Sequence, residues 1–337
     1  MNLKETVFLG LSGGVDSSVA AAVLQEQGYN VKAFNLILSD FQSEEGTASA
    51  KALAGFLGIS IEEIDLRAEF KKEILEYFIS EYRSGRTPNP CIRCNRIIKF
   101  GEILFRKLGE FPGKIATGHY AVIEKVSGAG YHLLKKGRDK LKDQSYFLST
   151  LNEQQLSRII FPIGKMLKSE VKKLAFKLNL PSRDSKESTE LCFITSGHYS
   201  DYIMEESGLK TREGLIEHVD GRELGLHKGI INYTIGQRKG LGIAWPEPLY
   251  VIEIHPEENK VIAGEERYLY SRKFIVQDFF LINPEFTGKD NFPCDIKIRY
   301  LNKPQPGTVK FIHMPSAEIQ FEKPVRAITP GQHACVY

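Results

Sequence analysis

Short apolar runs alternate with helical periodicity through the first half of the chain. Apolar stretches at residues 7–11, 31–38, 59–64 and 114–118 predict strands, and the stretches between them predict helices over residues 17–27, 47–57, 70–84 and 97–108. Such alternation implies a parallel sheet with helices on both faces and a binding crevice at the carboxyl ends of its strands. Beyond about residue 200 the rhythm changes. Residues 214–225 predict a hairpin about Asp220-Gly221, and residues 249–264 a second about Pro256-Glu257-Glu258-Asn259. Strand-like runs follow at 273–282, 294–300, 308–313, 317–321 and 334–337, separated by Pro, Gly and Asn, and suggest a small closed or Greek-key barrel. The expected architecture is α/β: a doubly wound parallel-sheet domain over residues 1–195, a small mixed module over 196–250 and a C-terminal β-barrel over 251–337.

The first predicted strand runs into Leu-Gly-Leu-Ser-Gly-Gly-Val-Asp-Ser-Ser at residues 9–18, and an apolar helical stretch follows at once. A glycine-rich, hydroxyl-rich turn thus meets a helix N-terminus. Gly13 and Gly14 let an anion approach where a Cβ would block it, and the helix dipole favours negative charge there. The turn lacks both the Walker spacing with its lysine and Gly-x-Gly-x-x-Gly. Backbone contacts of this kind suit an enzyme that splits ATP into AMP and pyrophosphate better than one that transfers the γ-phosphoryl.

Composition narrows the setting without naming the chemistry. The 337 residues suggest two or three domains, and 42% hydrophobic with 26% charged residues describe an ordinary globular protein with ample core. A net charge of +3 is too mild for a global nucleic-acid field, so any RNA contact must come from local patches. No run of about twenty uncharged apolar residues exists, and the first residues do not resemble a secretory signal. Five cysteines in a chain of this size point to a reducing cytoplasm, with cysteine used for chemistry or packing.

Cys91 and Cys94 lie in Gly-Arg-Thr-Pro-Asn-Pro-Cys-Ile-Arg-Cys-Asn, where two prolines place them near the start of a helix. That helix end, with Arg93 and Arg96 nearby, is expected to favour thiolate and hence nucleophilic sulfur; a metal half-site and a redox pair share the spacing. Cys192 taken alone reads as a buried thiol, and Cys294 and Cys335 read as packing. Gly118 ends a strand where it can admit a nucleotide, with His119 beside it; residues 142–148 step from polar into aromatic; Arg238 and Lys239 sit in a glycine-rich loop suited to phosphate.

Taken in order along nearly the whole chain, these segments resemble one family. The Ser-Gly-Gly-Val-Asp-Ser turn, Gly-Arg-Thr-Pro-Asn-Pro-x-x-x-Cys-Asn, Ala-Thr-Gly-His-Tyr-Ala, Lys-Asp-Gln-Ser-Tyr-Phe-Leu, Leu-Cys-Phe-Ile, Tyr-Thr-Ile-Gly-Gln-Arg-Lys-Gly-Leu-Gly, Lys-Ile-Arg-Tyr and Thr-Pro-Gly-Gln are similar to the bacterial tRNA-specific 2-thiouridylases, which are PP-loop ATP pyrophosphatases. The resemblance implies a PP-loop domain of the adenine nucleotide α-hydrolase kind and sulfur insertion at C2 of the wobble uridine (U34) of tRNAs for Lys, Glu and Gln. ATP would lie against Gly10, Leu11, Ser12, Gly13, Gly14, Val15, Asp16 and Ser17, with Leu36 and Gly118 near the adenosine and Asp16 orienting Mg2+. Cys192 would carry a persulfide received from a sulfur-relay protein or cysteine desulfurase, and Cys94 would be the partner nucleophile. Asn89, Pro90 and Cys91 would line the target base, and His119, Lys142, Asp143, Gln144, Arg299, Tyr300 and Gln332 would contact tRNA.

The departures from the family pattern gather near the sulfur chemistry. Cys91 stands where many members have Asp, Glu190-Leu191 precedes Cys192 where Gly-Ile is usual, Thr195-Ser196-Gly197 replaces Gly-Glu-Arg, and the segment at 39–47 is shorter. A rival therefore keeps tRNA thiolation but places a [4Fe-4S] cluster with one open iron on Cys91, Cys94 and Cys192. Two others are a PP-loop ligase or amidotransferase acting on a small molecule, and a catalytically silent RNA-binding relative.

Overall fold

A computed structural model describes residues 5–39, 44–109, 113–185, 191–194 and 197–337. Glu190, Thr195 and Ser196, three of the unusual residues near Cys192, and part of the short 39–47 segment lie outside the described residues. The chain forms two compact units, Met1–Ile74 with Cys91–Thr195 and Leu75–Pro90 with Ser196–Tyr337.

In chain order the elements begin β1 (Thr6–Gly10), α1 (Val15–Glu26), β2 (Asn30–Ile37), α2 (Glu44–Leu57), β3 (Ile61–Asp65), α3 (Arg67–Phe70), α4 (Glu76–Arg83), α5 (Pro90–Cys94) and α6 (Glu102–Lys107). They continue with β4 (Lys114–Ala116), β5 (Ala121–Lys125), β6 (His132–Lys136), α7 (Ser145–Leu148), α8 (Glu153–Leu156), β7 (Ile159–Ile160) and α9 (Lys168–Lys177). The first unit is built on a parallel sheet of order β3-β2-β1-β4-β7, in which Leu9 pairs with Ala33 on one side and Ala116 on the other. Val7 and Leu9 alternate inward from β1 and are fully buried with Val19, Ala20 and Leu24 of α1, Ala50 and Leu53 of α2 and Val171 and Ala175 of α9. The alanines let these helices approach closely. Each larger apolar side chain so buried stabilises by about 1.5–3 kcal/mol before ordering costs.

Two expected helices are interrupted. Residues 71–75 and 95–99 form π-helical turns, so the periodicity over 70–84 and 97–108 does not continue as one α-helix in either place. Gly101 explains the second break: Phe100 N–H bonds to Asn95 O at 3.0 Å, and a Cβ on Gly101 would lie 2.0 Å from Ile97 O.

The second unit adds α10 (Tyr199–Ser207), β8 (Gly214–His218), β9 (Glu223–His227), β10 (Leu249–His255) and β11 (Lys260–Glu265). Both expected hairpins form, but β11 runs parallel to β8 and joins them in one sheet of order β10-β11-β8-β9. The hairpin at 249–264 therefore belongs with β8 and β9, because Ile216, Val251 and Val261 face one core. The strands β12 (Tyr270–Val276), β13 (Asn291–Lys297), β14 (Gln305–His313), β15 (Ser316–Arg326) and β16 (Cys335–Val336) form an antiparallel sheet of order β12-β15-β14-β13-β16 around Phe292, Ile296, Val309, Ile319 and Phe321. Among the described residues no helix is long and apolar enough to cross a membrane.

Candidate active site

The chain leaves β1 at Gly10 and turns into α1 over four residues. Leu11 and Val15 are buried core residues, so they offer the turn only their backbones. Leu11 N–H donates to Phe34 O at 2.8 Å and Asn35 Nδ2 donates to Leu11 O at 2.7 Å, which pins the turn to β2, while Leu36 is half-buried further along that strand. Gly13 adopts φ +79°, and a Cβ there would lie 2.9 Å from Ser49 Cβ. Gly14 caps α1 in an extended conformation without a side-chain cap, so no side chain competes for the leading amides of the helix. Ser12 is exposed, with its hydroxyl 3.2 Å from that of Ser17, and Ser17 Oγ donates to Gly14 O at 3.1 Å. The turn is an anion-receptive cradle.

Gly118 was expected to make room for a nucleotide. In the fold a Cβ on it would lie 2.7 Å from Asp16 C and 2.8 Å from Ser17 N, so its missing side chain admits the first turn of α1. Asp16, expected to face magnesium, accepts bonds from Lys168 Nζ at 2.7 Å on each carboxylate oxygen and from Tyr120 OH at 2.6 Å on Oδ1. Asp16 is thus engaged by a cation and a hydroxyl of the chain itself.

The sulfur residues lie in the first unit. Cys91 is half-buried, Cys94 is 5% exposed and Cys192 is exposed. Cys192 sits in a turn closed by Ile194 N–H on Leu191 O at 3.0 Å, and the neighbouring Phe193 ring packs edge-on to Phe70 at 5.8 Å. Burial pushes all three thiols up, that of Cys94 to about 12, and Lys99 pulls each of them back. Although Cys192 has exposed surface, the protein packed around it still dominates its titration. The coupling is reciprocal: burial alone would lower the Lys99 ammonium, and Cys94, then Cys192 and Cys91, hold it up. The thiolate expected from Arg93 and Arg96 is thus corrected. Arg93 is committed to Glu73 through its carbonyl at 2.6 Å and its carboxylate at 3.0 Å, Arg96 is exposed, and α5 has only five residues.

Beside Cys94, Asn95 donates through Nδ2 to Phe147 O at 3.1 Å, while its buried Oδ1 has no hydrogen-bond partner. His119 lies among Phe100 and Phe161, with ring centroids at 5.9 and 5.7 Å, and its Nδ1 meets Thr117 Oγ1 at 2.7 Å. Burial, reinforced by Lys99, lowers its pKa to about 3, so the ring is neutral at pH 7. Among the described residues no three or more Cys, His, Asp or Glu side chains are arranged to hold a metal ion. Cys91, Cys94 and Cys192 are thus not gathered about a single metal ion.

The Lys142-Asp143-Gln144 segment is anchored inward. Asp143 is buried, with Oδ1 accepting from Gly137 N at 2.9 Å and Ser145 N at 3.1 Å, and Oδ2 accepting from Ser145 Oγ at 2.9 Å. Gln144 exchanges bonds of 2.8 and 2.9 Å with the Tyr120 backbone. Lys142 is half-buried, beside the fully projecting Leu141.

In the second unit, four sequence motifs knit one junction. Thr87 N–H donates to Pro330 O at 2.9 Å, and Gln332 Nε2 returns a bond to Thr87 O at 2.7 Å. Arg299 donates to Ile235 O at 3.1 Å and to Thr329 Oγ1. Gly236 and Gly331 have φ of +86° and +89°, and side chains there would strike Ala327 and Thr87. Arg238 and Lys239 project from the turn closed by Gln237 N–H on Thr234 O, while Asn89 and Tyr300 are half-buried and Pro90 is buried at the start of α5. Gln332 and Arg299 thus brace loops as well as standing among the expected tRNA contacts.

Sequence reasoning missed Lys99, Lys168 and the role of Tyr120. Tyr120 stood inside a motif already singled out and Lys99 four residues past one, whereas nothing local marks Lys168.

The parallel sheet with its capless glycine turn defines a nucleotide-binding α/β domain of the HUP type, followed by two β modules. Residues 5–196 match the family described as tRNA methyl transferase HUP domain, 201–265 its PRC-barrel domain, and 271–337 the aminomethyltransferase beta-barrel domain. The tRNA-specific 2-thiouridylase MnmA of Pelobacter propionicus is 41% identical over 336 residues, covering 98% of this chain and 94% of that protein. Its counterpart in Carboxydothermus hydrogenoformans is 40% identical over 347 residues, covering 99% and 94%. Caldanaerobacter subterraneus has a tRNA-specific 2-thiouridylase, MnmA 2, that is 40% identical over 349 residues, covering 100% and 96%. The chain belongs to the tRNA-specific 2-thiouridylase family.

Proposed function

We propose that this chain uses ATP to replace the C2 oxygen of the wobble uridine of tRNA with sulfur. The observation that carries this reading is the grouping, in one unit, of an anion-receptive turn at α1 with Cys94 and Cys192 coupled through Lys99, in a chain whose relatives are named thiouridylases along their whole length.

The uridine O2 attacks the α-phosphate of ATP held by the backbone amides of the turn at 10–17, and pyrophosphate leaves. Adenylation is needed because a carbonyl oxygen is a poor leaving group, whereas AMP leaves well. The terminal sulfur of a Cys192 persulfide then attacks C2 and AMP departs. Cys94 attacks Cys192 Sγ, which breaks the S–S bond, leaves sulfur on C2 and forms a Cys94–Cys192 disulfide that an external dithiol reduces. The persulfide is charged by a cysteine desulfurase or a sulfur-relay protein. Lys99 draws the buried thiols toward their reactive anions, and neutral His119 offers a hydrogen bond without a charge. Asn89, Pro90 and Cys91 line the target base. An anticodon base suits such a pocket because it is available for unstacking.

The test is mass spectrometry of tRNA nucleosides from cells lacking the gene. Loss of 2-thiouridine, restored by the wild type and not by Cys94→Ser or Cys192→Ser, supports the reading. Unchanged 2-thiouridine in the deletion overturns it.

A further inference from the structure

The nucleotide turn carries no lysine of its own, yet the fold delivers one from 152 residues away. Lys168 Nζ lies 2.7 Å from both Asp16 oxygens, and Tyr120 OH completes the cluster at 2.6 Å from Oδ1. The side chains are 10% exposed for Lys168 and 34% for Asp16, so the ammonium is enclosed while the carboxylate retains an open side.

The placement of Lys168 is fixed at both ends. Its backbone N–H donates to Asp139 Oδ2 at 2.8 Å, and Asp139 Oδ1 in turn accepts from Leu141 N at 3.0 Å. Its ammonium stands 5.8 Å from the Tyr120 ring, and the helix it begins shares the core of α1 through Val171 and Ala175. The lysine is therefore aimed at the first turn of α1 by the packing that forms the domain.

Asp16 creates the need for it. An acidic residue in the first turn suits the helix dipole, but an uncompensated carboxylate there repels a polyphosphate arriving at the same amides. We propose that Lys168 is the cation of the nucleotide turn: a positioning residue that neutralises Asp16 and holds its carboxylate, so that polyphosphate meets the start of α1 without an opposing charge. The inference rests on the ATP reading above and adds the residue that makes the turn electrostatically competent.

Calorimetry with α,β-methylene-ATP and with adenosine, in magnesium buffer, tests it on the full chain. Wild type that binds neither compound overturns the ATP reading itself. Given wild-type binding, Lys168→Met is expected to weaken α,β-methylene-ATP by about tenfold or more and adenosine by less than about twofold, since only the former carries the repelled charge. Asp16→Asn in the Lys168→Met background is expected to recover binding to within about threefold of wild type, and Lys168→Arg to retain it. Equal losses for both compounds, or no loss, overturn the proposal. Should Lys168→Met fail to fold, Asp16→Asn alone decides: binding of α,β-methylene-ATP at wild-type strength or tighter supports the proposal, and a loss of about tenfold overturns it.

Discussion

Gly118 stands so close to Asp16 that a Cβ built on it would lie 2.7 Å from the Asp16 carbonyl carbon and 2.9 Å from the carbonyl oxygen. Backbone meets backbone here, so neither side can yield by rotating a side chain. Gly118→Ala is expected to displace the first turn of α1, cost about 1–3 kcal/mol and raise the KM for ATP more than that for tRNA. Gly55→Ala is the control: a Cβ there meets nothing within 4 Å inside α2, so it should be neutral or stabilise by up to about 1 kcal/mol. Thermal melting and pyrophosphate release measure both; equal behaviour of the two variants would refute the close-approach argument.

Lys99 should govern cysteine reactivity. Burial holds the Cys94 thiol up near 12 against the pull of Lys99, and Cys192 is shifted the same way for the same reasons. Removing the cation in Lys99→Met is expected to slow alkylation of both residues by about tenfold and move the reactive pH range further alkaline, with Lys99→Arg intermediate. Site-resolved mass spectrometry after iodoacetamide pulses reads the rates, and rates equal to wild type would exclude this role.

His119 imposes an acid limit on stability. Its pKa is lowered from 6.5 to about 3 in the folded chain by burial and then by Lys99, so below pH 6.5 the unfolded state binds a proton that the folded state refuses. The stability is therefore complete above pH 6.5 and falls as pH drops from there toward 3. The slope approaches about 1.4 kcal/mol per pH unit for this one site. Urea unfolding between pH 7 and 4 should show a shallower acid decline in His119→Gln than in wild type; parallel curves would count against it.

The brace at Thr87 predicts a split between substrates. Gln332→Ala removes the bond to Thr87 O and leaves that carbonyl dependent on water. A net hydrogen bond contributes about 0.5–1.5 kcal/mol, so the KM for tRNA should rise roughly threefold to tenfold while nucleotide affinity stays constant. Filter binding and calorimetry separate the two, and a parallel loss of both would place Gln332 elsewhere in the mechanism.

What the sequence revealed was what neighbouring residues decide. The turn at 10–17 was legible because strand, glycines and helix are contiguous, and the hairpin turns because Gly221 and Asn259 occupy positive φ where such residues are favoured. The two-residue β7 was not legible, since only its pairing of Ile159 with Ile115 and Ile160 with Ala116 makes it a strand. The Lys168–Asp16 contact joins residues 152 apart through the packing of α9 on α1 and the Asp139 anchor. The state of Cys94 was misjudged because a sequence displays arginines and helix ends but not burial, and burial dominates here.

The excursion at Leu75–Pro90 belongs to the second unit by its own contacts: Tyr82 stacks on Tyr199 at 4.5 Å, and Thr87 is clasped by Pro330 and Gln332. The chain returns from it directly into Cys91. Modular inheritance is thereby constrained. A gene fusion or truncation cut after Thr195 would carry the excursion away from the residues that hold it, Tyr199, Pro330 and Gln332.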